Sequence, residues 1–136
     1  MKALSMLGEV ALPGEVASVP TAWHYVRDLL AAAGHPYNDD ALLLVTELVT
    51  NAVRHSRSGR PGDRVTVAVA DCGGTLHINV IDGGSADHRP QLRPEADDDG
   101  GGGRGLWLVQ ELSSAWGWQE TPAGHVVWFQ LPGVTR

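Results

Sequence analysis

Twenty consecutive residues, 83–102, carry one large apolar side chain, Leu92, among glycines, prolines and acids. Such a stretch cannot join a packed core, so it predicts a long loop or lid, and the core has to come from the segments on either side of it. Those segments hold enough apolar material. The chain has 136 residues, 43% of them hydrophobic, which suits one packed core and is too short for two ordinary domains. The expectation is a single domain over 1–136.

Upstream of the loop, Glu9 to Pro13 alternates weakly and reads as a short strand ended by Pro13 and Gly14. A helix follows, with Ser18 as its cap, Pro20 in its first turn, and Ala22, Val26, Leu29, Leu30 and Ala33 at helical spacing until Gly34 and Pro36 stop it. Asn38 before Asp39 and Asp40 starts a second helix that runs to about His55, because the Asn oxygen satisfies an open N–H and the acids suit the positive dipole end. Val65, Val67 and Val69 alternate along one strand and Leu76, Ile78 and Val80 along the next, with Asp71-Cys72-Gly73-Gly74 as the hairpin turn.

Downstream, Leu106, Val109, Gln110 and Leu112 mark a third helix. Trp116 with Trp118, then Val127, Phe129 and Leu131, alternate on either side of Thr121-Pro122-Ala123-Gly124 and predict a closing hairpin. The order strand, two helices, two strands, loop, helix, two strands predicts an α+β two-layer sandwich.

The net charge is −6, and the ten basic residues are dispersed along the chain, so no nucleic-acid footprint is visible. The lone cysteine, Cys72, cannot form an internal disulfide and has no partnered acid and base to make it a nucleophile. No run reaches the roughly 18 apolar residues of a membrane span, and the first residues lack the apolar stretch of a secretory signal. A cytoplasmic protein is expected.

Three features could carry chemistry. Glu47, Asn51 and His55 recur every four residues on the polar side of the second helix, beside Thr50 and Arg54 and opposite Ala41, Leu42, Val45, Val49, Ala52 and Val53. By itself this stripe fits a solvated face as well as a site. Asp82 ends an apolar strand before Gly83 and Gly84, where backbone can approach a ligand closely, although Asp-Gly is also an ordinary turn. Gly100 to Gly103, Arg104 and Gly105 open onto Leu106, so backbone N–H groups at a helix start can face phosphate oxygens; alone, the run fits a hinge equally. The only lysine is Lys2 and there is no G-x-x-x-x-G-K-[ST] loop, which excludes P-loop and ordinary protein-kinase chemistry. The glycines follow a polar loop instead of a strand, which excludes a Rossmann site.

Taken together, the three features resemble the boxes of the GHKL (Bergerat-fold) ATPases. Glu47 to Ser56 is similar to their E-x-x-x-N helix box, Val80 to Gly84 to the D-x-G box, and Gly103 to Val109 to the G-x-G box that follows a mobile lid. The resemblance spans nearly the whole chain. It implies a two-layer α/β sandwich whose mixed, mostly antiparallel sheet is covered by helices, with a lid at about 83–102. Within that superfamily the size and the boxes look most like the anti-sigma-factor serine/threonine kinases of partner-switching systems. Those relatives bind a sigma factor and phosphorylate a serine on a STAS-type anti-anti-sigma protein, and generally pair as homodimers.

Carried across, the resemblance implies ATP and Mg²⁺ as cofactors. Glu47 would be the catalytic carboxylate that orients or deprotonates the attacking hydroxyl, and Asn51 the side-chain ligand of Mg²⁺. Asp82 would accept a hydrogen of the adenine amino group, with Gly84 letting the base lie close. Gly103, Gly105 and the N–H groups around Leu106 would hold phosphates; Arg104 either adds charge there or is a solvated surface residue. His55 reads as a helix-end histidine at the negative dipole end rather than a metal ligand, and Trp107 as a residue packing the third helix. Two departures stand against the pattern. Ala86 occupies a position where the second box continues with glycine, and Asp97, Asp98 and Asp99 bring negative charge next to the phosphate loop. These leave open a non-catalytic ATP-binding or nucleotide-free interaction module of the same fold, or a module serving a histidine kinase in trans.

Overall fold

The computed structural model describes residues 4–35, 38–55, 64–82, 103–121 and 124–132. In chain order these form β1 (Leu4–Pro13), α1 (Ser18–Ala32), α2 (Asp39–His55), β2 (Arg64–Cys72), β3 (Thr75–Asp82), α3 (Gly103–Leu112), β4 (Ala115–Thr121) and β5 (Gly124–Pro132). The five strands make one sheet in the order β1-β2-β3-β5-β4. All four pairings are antiparallel, so the described sheet contains no parallel pair. The α+β class and the element order follow the expectation.

Both hairpins rest on glycine. The two-residue turn between β2 and β3 puts Gly73 at φ 63° and Gly74 at φ 95°, and Asp71 Oδ1 accepts the Gly74 N–H at 2.7 Å. Positive φ at both central residues matches the twist of the strands it joins. Gly124, at φ 130°, opens β5.

Three helices cover one face of the sheet. Val65, Val67 and Val69, Leu76, Ile78 and Val80, and Phe129 and Leu131 alternate toward that face and join one buried cluster with Val26, Leu30, Leu44, Val45, Leu48, Val49 and Val109. Leu44 and Leu48 were not on the apolar face read from the sequence. They are buried because α2 lies between α1 and α3 as well as on the sheet, so its apolar arc extends past half the circumference.

The helix ends hold their orphan groups in different ways. Asn38 caps α2 as expected, its Oδ1 accepting the Ala41 N–H at 3.1 Å. At the end of α1, Gly34 at φ 91° lets His35 N–H reach the Leu30 carbonyl at 2.7 Å and Gly34 N–H reach that of Ala31 at 3.2 Å, a Schellman arrangement. Ser18 does not cap α1. It is the first helical residue, and its hydroxyl instead donates to the Pro13 carbonyl at 2.6 Å, tying the helix to the end of β1. Buried His35 reaches Asp71 with Nε2 at 3.2 Å from Oδ2, fastening the α1–α2 connection to the β2–β3 hairpin.

The face away from the helices has its own cover. Trp128 stacks on His77, with ring centroids 5.3 Å apart and planes 18° from parallel. Gln130 Nε2 lies 3.0 Å from His77 Nδ1, and His77 Nε2 lies 3.1 Å from Asn79 Oδ1. An amide N–H facing Nδ1 and an amide oxygen facing Nε2 select the neutral ring with its proton on Nε2. Under this layer Ala68, Ala70 and Val126 are buried on the face opposite the one that the three described helices cover. Gly117 makes room for it: a Cβ there would stand 2.8 Å from Trp128 Cζ2, a rigid ring atom. Gly117→Ala is therefore expected to destabilise the fold by about 1–3 kcal/mol, read as a lower denaturation midpoint. An unchanged midpoint would show that the indole can move aside without loss.

Candidate functional site

The start of α2 is fixed at one end of the sheet, where Asn38 Nδ2 donates to the Pro132 carbonyl at 3.4 Å. A 17-residue helix is about 25 Å long, so its second half, with Glu47 and Asn51, extends toward the other end. That is where β3 finishes at Asp82, paired in register with Val65 on β2 and His125 on β5. α3 has the opposite sense. Ser114 N–H holds the Gln130 carbonyl at 2.9 Å, anchoring the α3–β4 junction at the end away from Asp82. Its glycine-led first turn thus begins at the same end of the sheet as Asp82.

Glu47 and Asn51 are one helical turn apart and both half-buried, whereas Asp39, Asp40 and Arg54 on the same helix are exposed. Thr46 and Thr50 return their hydroxyls to the carbonyls of Leu42 and Thr46, at 2.9 and 2.7 Å, and so leave the carboxylate and the amide as the outward-reaching groups of this stripe. Asp82 is half-buried and continues the alternation of Ile78 and Val80, which puts it on the helix-covered face. Asn51 and Asp82 both interact within the folded chain.

α3 begins at Gly103, three residues before the expected start at Leu106. Glycine is poor inside a helix but tolerable in the first turn, whose N–H groups have no intrahelical partners. Gly103, Arg104, Gly105 and Leu106 are therefore helical, and their backbone N–H groups are those a helix start presents. The side chains of Arg104, Leu106 and His55 lie outside the described residues, as do Gly84, Ala86, Asp97 to Asp99 and the whole 83–102 segment. Trp107 does not pack α3: it is 38% exposed, because Leu108, Val109 and Leu112 supply the inward face.

Sequence reasoning missed two residues at this end. His125 is one of four buried polar residues described, and its Nε2 lies 3.4 Å from Glu120 Oε2. Glu120 pairs with His125 across the β4–β5 hairpin, as His125 pairs with Asp82. Extending the alternation of Phe129 and Val127 back by two residues, and that of Trp116 and Trp118 forward by two, would have found both. Among the described residues no group of three or more His, Cys, Asp or Glu side chains could hold a metal ion, and no helix is long and apolar enough to cross a membrane.

A carboxylate and amide one turn apart on a covering helix, an acid closing a central strand and a glycine-led helix start, gathered at one end of a two-layer sandwich, define a nucleotide-binding domain of the GHKL type. Residues 12–131 match the family described as the histidine kinase-like ATPase domain, and the chain belongs to that family. Its nucleotide is accordingly ATP. No curated protein shows significant sequence similarity to the chain. Among solved structures it is similar to the histidine kinase domain of the Erythrobacter litoralis blue-light activated histidine kinase, at 21% identity and a TM-score of 0.49 over 82% of this chain. The chain spans about 60% of the length of that domain.

Proposed function

We propose that this chain is an ATP-dependent protein serine/threonine kinase of the anti-sigma type, acting on transcription by partner switching with a sigma factor and a STAS-type antagonist. The observation that carries the reading is the half-buried Glu47–Asn51 pair, directed to the end of the sheet where Asp82 closes β3. The form of the boxes, E-L-V-T-N-A-V-R-H at Glu47 to His55 and G-R-G-L-W-L-V at Gly103 to Val109, supports the anti-sigma branch.

The donor chemistry fits the cofactors. Glu47 and Asn51 offer only oxygen, which suits a hard cation that keeps several waters and takes few protein ligands. Asn51 would hold Mg²⁺ by its amide oxygen; Asp82 would accept a hydrogen of the adenine amino group; the first N–H groups of α3 would hold phosphate. When bound, Mg²⁺ and ATP supply a transferable phosphoryl group with its charge partly neutralised. Glu47 then has one task, to orient a serine hydroxyl and take its proton. Gly84 belongs beside the base, and Arg104 adds positive charge at the phosphates. Two copies of the chain are expected to pair, as the relatives do, and the site of action is the cytoplasm.

Two measurements test this. Calorimetry should find ATP binding that needs Mg²⁺, and Asp82→Ala should lower the affinity about 10- to 100-fold, the worth of a hydrogen bond to a charged group. Incubation with ATP and purified STAS-type proteins should give acid-stable phosphoserine. An acid-labile phosphohistidine on a partner would replace the serine reading with a histidine-kinase one, and ATP binding with no transfer to any partner would leave a nucleotide-holding interaction module.

A further inference from the structure

We propose that the sheet face opposite the three described helices is the surface through which two copies of this chain pair, sheet against sheet, with the nucleotide sites turned outward. The inference rests on the pairing expected above and names its surface, independently of the kinase chemistry. β2 gives the first sign. A strand with one solvated face alternates apolar and polar residues, but Val67, Ala68, Val69 and Ala70 are consecutive, apolar and buried, a run typical of strands covered on both faces. Charge gives the second. Charged residues make up 19% of the chain, yet among the described residues the strand pairings put only Glu9 and Arg64 on this face, one on the edge strand β1 and one at the start of β2. Aromatic, amide and small residues at the centre, with charge kept to the rim, are the make-up of an interface.

The relief of this face is complementary to itself. Ala68 and Ala70 form a shallow trough along β2; Ala70 has Met6, 57% exposed, beside it on β1 and His77 beside it on β3. The His77 side is a rigid ridge, because Trp128 stacks on the imidazole and the Gln130 and Asn79 amides hold both of its nitrogens. A two-fold axis along the strands, between β2 and β3, lays His77 of each copy over the alanines of the other and brings Met6 of each beside the other's Trp128 ring, so every contact is made twice. The area suffices. Five strands about 4.8 Å apart, each about eight residues long at 3.4 Å per residue, cover about 650 Å², and two copies would bury about 1,300 Å², within the roughly 1,200–2,000 Å² of specific interfaces. With a net charge of −6 two copies repel each other, and a face that carries one acid and one base is where they can meet.

Sedimentation equilibrium on the full chain should find dimers with a Kd of about 10 μM or tighter. Met6→Glu and Thr66→Glu, both on this face and neither fully buried, should each weaken pairing about 10- to 100-fold by placing an unpaired acid in the interface. Val16→Glu, at a side chain 77% exposed outside the sheet, adds the same charge and should change pairing by no more than about twofold. Cys72, the only cysteine and half-buried near the end of this face, gives a test that needs no variant and serves if the face variants do not fold. Its alkylation should slow about threefold or more as the chain is concentrated from about 1 to about 100 μM. A chain that stays monomeric at about 100 μM, pairing that both face variants leave intact, equal weakening in Val16→Glu, or alkylation independent of concentration overturns the proposal. ATP calorimetry on the same samples keeps the two readings apart: a monomer that binds ATP loses the pairing and keeps the nucleotide site, and a dimer that binds none does the reverse.

Discussion

Glu47→Gln is expected to bind ATP within about threefold of the unmodified chain and to transfer phosphate about 10²–10⁴ times more slowly, the usual range for losing a positioned general base. Glutamine keeps the length and one oxygen of the side chain and removes only the basic site. Glu47 is half-buried on the middle of α2, its neighbours Thr46 and Thr50 bonded to their own helix, so the substitution disturbs neither packing nor an existing network that includes those hydroxyls. Loss confined to the rate, with binding kept, is the mark of an interaction made only in the transition state. Single-turnover transfer to the antagonist's serine, with ATP affinity measured in parallel, separates the two. A rate within threefold of the unmodified chain would remove Glu47 from catalysis, whereas a large loss of affinity would make it a binding residue.

How legible the fold was in the sequence depended on whether one local rule governed each element. The β2–β3 hairpin was readable because alternation and turn chemistry agree there: valines and isoleucine face one way, and two glycines adopt the positive φ that the turn needs. β1 was read only from Glu9, although it starts at Leu4. A bulge between Met6 and Gly8 breaks its period of two, and pairing with β2 holds the early residues in the sheet despite the weak pattern. α3 was placed late because its glycines resemble loop, a preference that the first turn of a helix does not enforce.

The candidate site was legible where its residues share an element and obscure where they share only a sheet. Glu47 and Asn51 lie four apart on one helix, a spacing that sequence displays directly. Asp82 stood out because it ends an apolar strand. Its relation to His125, 43 positions later, follows from β5 inserting between β3 and β4, and local pattern does not show that insertion. The same insertion makes β5 an interior strand, paired on both sides as β2 and β3 are, while β4 and β1 are the edges of the described sheet.

Phe129→Ala should therefore be the most damaging single truncation in the chain, costing about 3–5 kcal/mol. Phe129 is the only phenylalanine, is fully buried, and sits on β5 between Ile78 and Trp116 on the helix-covered face. Neither neighbour can fill the gap, because each is held by its own strand register. Against a total stability of roughly 5–15 kcal/mol for a domain, the loss would be large, and at this chain length it corresponds to a thermal midpoint lower by roughly 10–20 °C. Trp118→Ala is the control: it removes a larger aromatic from the same face, but at an edge strand and from a side chain already 37% exposed, so its cost should be about 2 kcal/mol, below that of Phe129→Ala. If the two variants melted together, side-chain size and not burial on an interior strand would govern stability. If Phe129→Ala melts far below Trp118→Ala, burial on an interior strand, and not the size of the ring, sets the cost of losing an aromatic from this face.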